Sequence, residues 1–214
     1  MLHDTEIALQ GSGAVLGRII GNHDTTRFLS EAAGDAGGDP WSAPATQPEH
    51  PEPYLRQAMA LALMLTLPGM PVIYYGDETG LAGTGDPDCR RVMPAEHTLS
   101  PARALLLEQT RRLGRLRACS KALRAGARAA FSVAQDTYAF LRDAGDGWPV
   151  VVMLSKAAND VSIEVSGNVM PPGVYLDVMS SEQVPIGTQG AAQAVPVKPL
   201  SARVLVRQGS PCQW

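Results

Sequence analysis

Ala14-Val15-Leu16-Gly17-Arg18-Ile19-Ile20 runs into Gly21-Asn22-His23-Asp24, and Met70-Pro71-Val72-Ile73-Tyr74-Tyr75 runs into Gly76-Asp77-Glu78. Each is a short apolar stretch that closes on a polar cluster, the pattern of a buried parallel strand ending where its loop begins. Between them Tyr54–Leu67 is built from strong helix formers and is apolar nearly all round after Gln57, which describes a buried helix. Pro68-Gly69 stops it. Ser100-Pro101 opens another helix, with Ser as N-cap and Pro at the first helical position, running to about Leu116 or beyond. The order strand, loop, helix, strand, loop, helix is the βα repeat of a parallel sheet. Chemistry in such sheets collects at the C-terminal ends of the strands, where both polar clusters sit.

Outward from this repeat the pattern changes. Met1–Gln10 reads as the end of a helix, followed by the turn Gly11-Ser12-Gly13. Ser30–Pro53 is rich in Gly, Pro and Ala and reads as a long loop, a length that usually signals function or disorder. From about Lys121 come short strand-like runs: Ala129–Ala134, Thr137–Arg142, Pro149–Leu154, Val161–Val165, Val174–Met179, Ala194–Val197 and Arg203–Arg207. Turn signals such as Asp143-Ala144-Gly145-Asp146-Gly147 and Pro171-Pro172-Gly173 separate them. Such spacing predicts an antiparallel β-sandwich, with the boundary near residues 118–126.

Composition excludes several classes. Apolar residues make up 45% of the chain and charged ones 18%, as in an ordinary globular protein. A net charge of −3, with no block of Lys and Arg, gives no footprint for nucleic acid. Three cysteines, Cys89, Cys119 and Cys212, are odd in number and far apart, so reduced thiols are expected rather than a disulfide framework or a metal motif. The four histidines lack zinc-ligand spacing, so no metal is expected. The longest apolar run, Ala58–Leu67, is too short to span a bilayer, and no membrane association is expected. Met1–Gln10 is polar and mixed, unlike a signal peptide, and the compartment stays open.

These segments together resemble glycoside hydrolase family 13, the α-amylase family. Gly21–Asp24, directly after a strand, resembles the family's fourth conserved region at the end of the seventh barrel strand. Pro68–Glu78 resembles the eighth strand, and Asp86-Pro87-Asp88-Cys89-Arg90-Arg91-Val92-Met93-Pro94 the loop after it, in the style of cyclomaltodextrinases and neopullulanases. The chain departs from the pattern at Cys89, where relatives commonly have Asn, and at Ala95-Glu96, where many have Trp. The resemblance implies an α/β plus all-β chain. Residues 1–120 would be the last two βα units of a (β/α)8 barrel, and 121–214 an antiparallel β-sandwich domain.

Retaining glycoside cleavage needs a nucleophile and an acid/base about 5 Å apart. A third carboxylate can hold a sugar hydroxyl and stabilise the positive charge developing on the ring. By resemblance Asp24 is that third carboxylate, and His23 hydrogen-bonds hydroxyls beside it. Asp86 and Arg90 match a pair that holds the neighbouring sugar, though a local salt bridge fits them equally. Arg27 either orients a carboxylate through a bidentate contact or is a solvated surface residue. Asp77 and Glu78 read as structural groups at the strand end, and Tyr74 and Tyr75 as packing. Trp41 either stacks on a sugar ring or pins the long loop to the surface.

No segment resembles the strands that carry the family's nucleophile and acid. The expectation is therefore a C-terminal portion of an enzyme acting on α-glucans or maltooligosaccharides, needing no cofactor and inactive by itself. A non-catalytic carbohydrate- or partner-binding module and a remnant without a ligand are the alternatives. Two βα units cannot close an eight-stranded barrel, so exposed apolar surface is expected, to be met by the missing barrel portion or by self-association.

Overall fold

The computed structural model describes residues 2–9, 11–35, 37–187 and 192–212. The first half holds α1 (Leu2–Ala8), β1 (Gly17–Arg18), α2 (Phe28–Ala32), α3 (Glu52–Thr66), β2 (Met70–Pro71), α4 (Pro101–Cys119) and α5 (Lys121–Ala125). The second half holds β3 (Ala127–Val133), β4 (Thr137–Asp143), β5 (Val150–Ser155), β6 (Val161–Val165), β7 (Gly173–Asp177), β8 (Gln183–Ile186), β9 (Gln193–Val197) and β10 (Ser201–Arg207).

β1 and β2 pair in parallel, Gly17 opposite Met70 and Arg18 opposite Pro71. The amide of Met70 donates to Leu16 O and that of Val72 to Arg18 O, each at 2.8 Å. The approach is close at Gly69, whose φ is +112° and where a Cβ would stand 2.5 Å from Leu16 O. The turn after α3 therefore requires glycine. Both strands are shorter than the apolar runs suggest, and they are not buried. Val15, Ile19, Met70 and Val72 are all exposed, because among the described residues the two strands pair only with each other. The open apolar surface anticipated from two βα units is present.

α3 starts at Pro51-Glu52-Pro53, with proline in its first turn, and buries Tyr54, Ala58, Leu61 and Leu65 at helical spacing. α4 packs on it, and Arg117 Nη1 caps its C-terminus by donating to Leu65 O at 2.9 Å and Leu67 O at 3.2 Å. Ser100 does sit at the N-cap of α4, but its side chain makes no capping bond. Part of the predicted Ser30–Pro53 loop is helical, since α2 occupies Phe28–Ala32. Leu29 is fully buried there and gives that turn its core contact.

β3-β4-β5-β10-β7-β8 form one antiparallel sheet, and β6 and β9 form a separate antiparallel ribbon. Alternation along β5 and β10 places the layers. Val150, Val152, Leu154, Val204 and Val206 share a core with Leu61, Leu65, Leu113 and Leu116 of α3 and α4. Val151, Met153 and Leu205 share a second core with Ile163, Val165, Val195 and Val197 of the ribbon. The six-stranded sheet is thus the middle layer, which explains why every residue of β5 is buried. The first core joins the helices to the sheet without a break, and Arg142 of β4 is buried in it, donating to Leu123 O and Gly126 O. β8 was not legible, because Pro185 and the charged Glu182 beside it disguise an edge strand.

The cysteine expectation is corrected. Cys119 and Cys212 form a disulfide, their Cα atoms 5.6 Å apart across a sequence separation of 93 residues, and only Cys89 remains a thiol. Spacing along the chain carries no information about this pairing; it exists because the end of α4 meets the turn after β10.

Candidate sugar site

The site stands where the loops leave β1 and β2, at one edge of the parallel pair. After β1 the chain turns tightly. The amide of Asp24 donates to Asn22 Oδ1 at 2.7 Å, and that of Asn22 to Thr25 Oγ1 at 3.2 Å. An Asn side chain holding the backbone two residues on is what such turns use. The turn displays His23 and Asp24 side by side, Nε2 of His23 lying 3.2 Å from Oδ2 of Asp24, with side chains 59% and 68% exposed.

The loop after β2 brings its own pair to the same place. Arg90 Nε donates to Asp86 Oδ1 at 2.7 Å, while Arg90 Nη2 lies 3.6 Å from Asp24 Oδ1. The local Asp86–Arg90 ion pair therefore forms, and the same guanidinium also reaches Asp24. His23, Asp24, Asp86 and Arg90 make one open cluster. Ion pairs this exposed add at most about 1 kcal/mol to stability. Their groups instead offer solvent two carboxylates and a forked donor, which suit vicinal hydroxyls.

Arg27 was expected to orient a carboxylate in the sugar site or to lie solvated at the surface; the structure buries it and sets its guanidinium beside the Asp77 carboxylate. It is 1% exposed, beneath the rings of Tyr74 and Tyr75, with its guanidinium carbon 4.5 Å and 5.0 Å from their centroids. Its Nε donates to Cys89 O and its Nη1 to Tyr75 O, each at 2.8 Å, and Nη1 lies 3.4 Å from Asp77 Oδ1. Its own amide donates to Gly83 O at 3.0 Å. One side chain thus ties the turn after β1 to the end of β2 and to the residue preceding Arg90.

Cys89 completes the joint. It is fully buried, and its Sγ donates to His23 O at 3.1 Å. Asp88 fixes the loop from the other side. It accepts from Thr84 N at 2.8 Å, Ala45 N at 3.1 Å and Arg91 Nε at 2.7 Å. Burial alone would raise its carboxyl, but these donors hold it below the usual range. Asp77 is buried beneath the loop, and burial pushes its carboxyl up to about 6 against the pull of Arg27. Sequence reasoning left Asp77 structural and missed Cys89 and Asp88 as supports. The dense run Asp86-Pro87-Asp88-Cys89-Arg90-Arg91 carried the one available signal, acids and bases three and four residues apart. Among the described residues no group of three or more His, Cys, Asp or Glu is placed to hold a metal ion. No helix among them is long and apolar enough to cross a membrane.

The family model for the α-amylase catalytic domain matches residues 1–143. The chain belongs to the α-amylase family. It is 40% identical over 79 residues to a cyclomaltodextrinase of Thermoanaerobacter pseudethanolicus, covering 37% of this chain and 11% of that protein. It is 28% identical over 184 residues to a cyclomaltodextrin glucanotransferase of Geobacillus stearothermophilus, covering 84% of this chain and 23% of that protein. The chain therefore spans about a quarter or less of the length of these curated relatives. Among solved structures, an Anoxybacillus α-amylase matches with a TM-score of 0.76 at 22% identity, covering 96% of this chain and 40% of that one. The Geobacillus thermoleovorans α-amylase solved with acarbose matches at 0.73 and 21%, covering 98% and 43%. At these identities the likeness to the solved structures is one of fold.

Proposed function

We propose that this chain supplies one wall of an α-glucan site in a retaining glycosidase or transglycosidase of the α-amylase family. In this proposal residues 1–120 are the seventh and eighth strand–helix units of the barrel, and residues 121–214 the β-domain that follows them. Asp24 stabilises the transition state and His23 holds hydroxyls of the same sugar. Asp86 and Arg90 hold the next sugar, and Arg27 acts from beneath as a support. The nucleophile and the acid/base come from outside these 214 residues. The observation that carries the proposal is the Arg90 bridge, 2.7 Å to Asp86 and 3.6 Å to Asp24, because it joins two loops from neighbouring parallel strands into one polar cluster. Sugar-bound relatives of this fold, such as the α-amylase solved with acarbose, support the choice of ligand.

Two experiments test it. The purified chain should release no reducing sugar from maltooligosaccharides; release that disappears in Asp24→Ala would show that the chain holds its own catalytic pair. Residues 14–94 should then be grafted into a complete relative. Asp24→Asn there should lower kcat by about a hundredfold or more with little change in KM, as for a group acting in the transition state. Arg90→Ala should chiefly raise KM. The reverse pattern would exchange the two roles and sink the assignment.

A further inference from the structure

Trp41 stands out among the side chains that the proposed site does not use. It is 81% exposed, so it does not pin its loop to the surface. An indole in this position can offer its apolar face to a ligand while its N–H stays in water. Its loop follows α2, the short helix entered from the turn that carries His23 and Asp24. The backbone beneath it is fixed. Asp39 Oδ1 accepts from the amides of Trp41 at 2.9 Å and Ser42 at 2.8 Å, and the amide of Ala43 donates to Asp39 O at 2.8 Å.

A few residues on, the loop is bonded to the Asp86–Arg90 segment itself. The amide of Ala45 donates to Asp88 Oδ2 at 3.1 Å, and Arg91 Nη2 donates to Ala45 O. Gln47 extends the seam, donating to Gly80 O at 2.7 Å and accepting from the amide of Ala82 at 3.1 Å. Trp41 is therefore carried by a preorganised turn whose base rests on the loop that holds Asp86 and Arg90. Apolar faces of glucose rings pack on indoles, and a chain leaving the Asp86–Arg90 pair along this rim would meet one.

We propose that Trp41 is a stacking platform for the distal glucose units of a bound α-glucan, extending the polar cluster at Asp86 and Arg90. The inference rests on the proposed function, since it takes that cluster as a sugar site. It assigns preference for longer chains: a short oligosaccharide fills the polar cluster, and a longer one also covers the indole.

Calorimetric titration of the 214-residue chain with maltotriose and with maltohexaose tests this, with tryptophan emission recorded alongside. Maltohexaose should change the emission and bind more tightly than maltotriose. Trp41→Ala should weaken maltohexaose binding by about tenfold, the size expected for losing one buried aromatic face, and leave maltotriose unchanged. Trp148→Phe, in the turn between β4 and β5, should alter neither affinity. Equal maltohexaose affinity in wild type and Trp41→Ala, with Arg90→Ala abolishing both, overturns the platform and leaves the site reading intact. Binding of neither sugar by the wild-type chain overturns both. A change in oligomeric state on Trp41→Ala without a change in affinity makes the indole a protein contact and overturns the platform. Trp41 is exposed, so its replacement should not unfold the chain.

Discussion

Replacing Arg27 by Met removes the side chain on which the candidate site is mounted. Two charge-assisted hydrogen bonds are lost, to Cys89 O and Tyr75 O, both 2.8 Å in the native chain. Bonds of this kind contribute about 1.5–3 kcal/mol each. Asp77 loses the cation 3.4 Å away and is left buried. Removing one partner of a buried pair costs about 3–5 kcal/mol, part of which Asp77 recovers by binding a proton. A net loss of about 3–5 kcal/mol is therefore expected, and it is local, because the bonds join loops rather than core elements. Cys89 reports it directly, since it is the one thiol left beside the Cys119–Cys212 disulfide and is fully buried. In the wild type it should react slowly with a thiol reagent. In Arg27→Met it should react about a hundredfold faster or more, the factor matching about 3 kcal/mol of easier opening. Arg27→Lys keeps the charge but not the fork and should fall between. A Met variant with an unchanged urea midpoint and a thiol as slow as wild type would refute the idea that Arg27 holds the loops.

Asp77 sets a pH dependence. Its carboxyl is raised from 3.8 to about 6 in the folded chain, so the folded chain holds more protons than the unfolded one between those values. The contribution of Asp77 to stability should be fully present below the lower value and fall by about 3 kcal/mol as pH rises through the upper one, opposite in sign to that of Asp88, whose carboxyl is lowered. Urea titrations at pH 4 and pH 7 should show this slope, and Asp77→Asn should reduce it; Asp177, also raised by burial, contributes in the same direction. The disulfide closes a loop spanning 93 residues that encloses nearly the whole β-domain, a constraint on the unfolded chain of about 4–5 kcal/mol. Cys119→Ser with Cys212→Ser should lower the thermal midpoint by about 8–20 °C, and an unchanged midpoint under the same buffer would count against that role.

What the sequence disclosed follows physical lines. Local patterns were legible: Pro68-Gly69 ends α3, and the short runs separated by turn signals after Lys121 foretold antiparallel strands, whereas the start of α3 at Glu52 reads as loop. The parallel pairing of β1 and β2 and the meeting of Asp24 with Arg90 were also anticipated, because consecutive βα units place their loops on one edge. Long-range facts were not legible. Nothing in their spacing marks Cys119 and Cys212 as partners. Arg27 looks like a surface residue until Tyr74 and Tyr75 are seen folded over it. The strands were read as buried because their composition is that of strands covered on both sides; among the described residues Val15 and Met70 are instead largely exposed.

In the function proposed above, the turn after β1 and the loop after β2 form one α-glucan site. Backbone amide resonances of the labelled chain, followed during titration with maltotriose, test it most directly. Saturable shifts are expected at Asn22–Asp24 and at Asp86–Arg91 with a single shared dissociation constant, absent in Arg90→Ala, while the strands of the six-stranded sheet stay unmoved. Shifts confined to the β-domain, or different constants for the two loops, would contradict it.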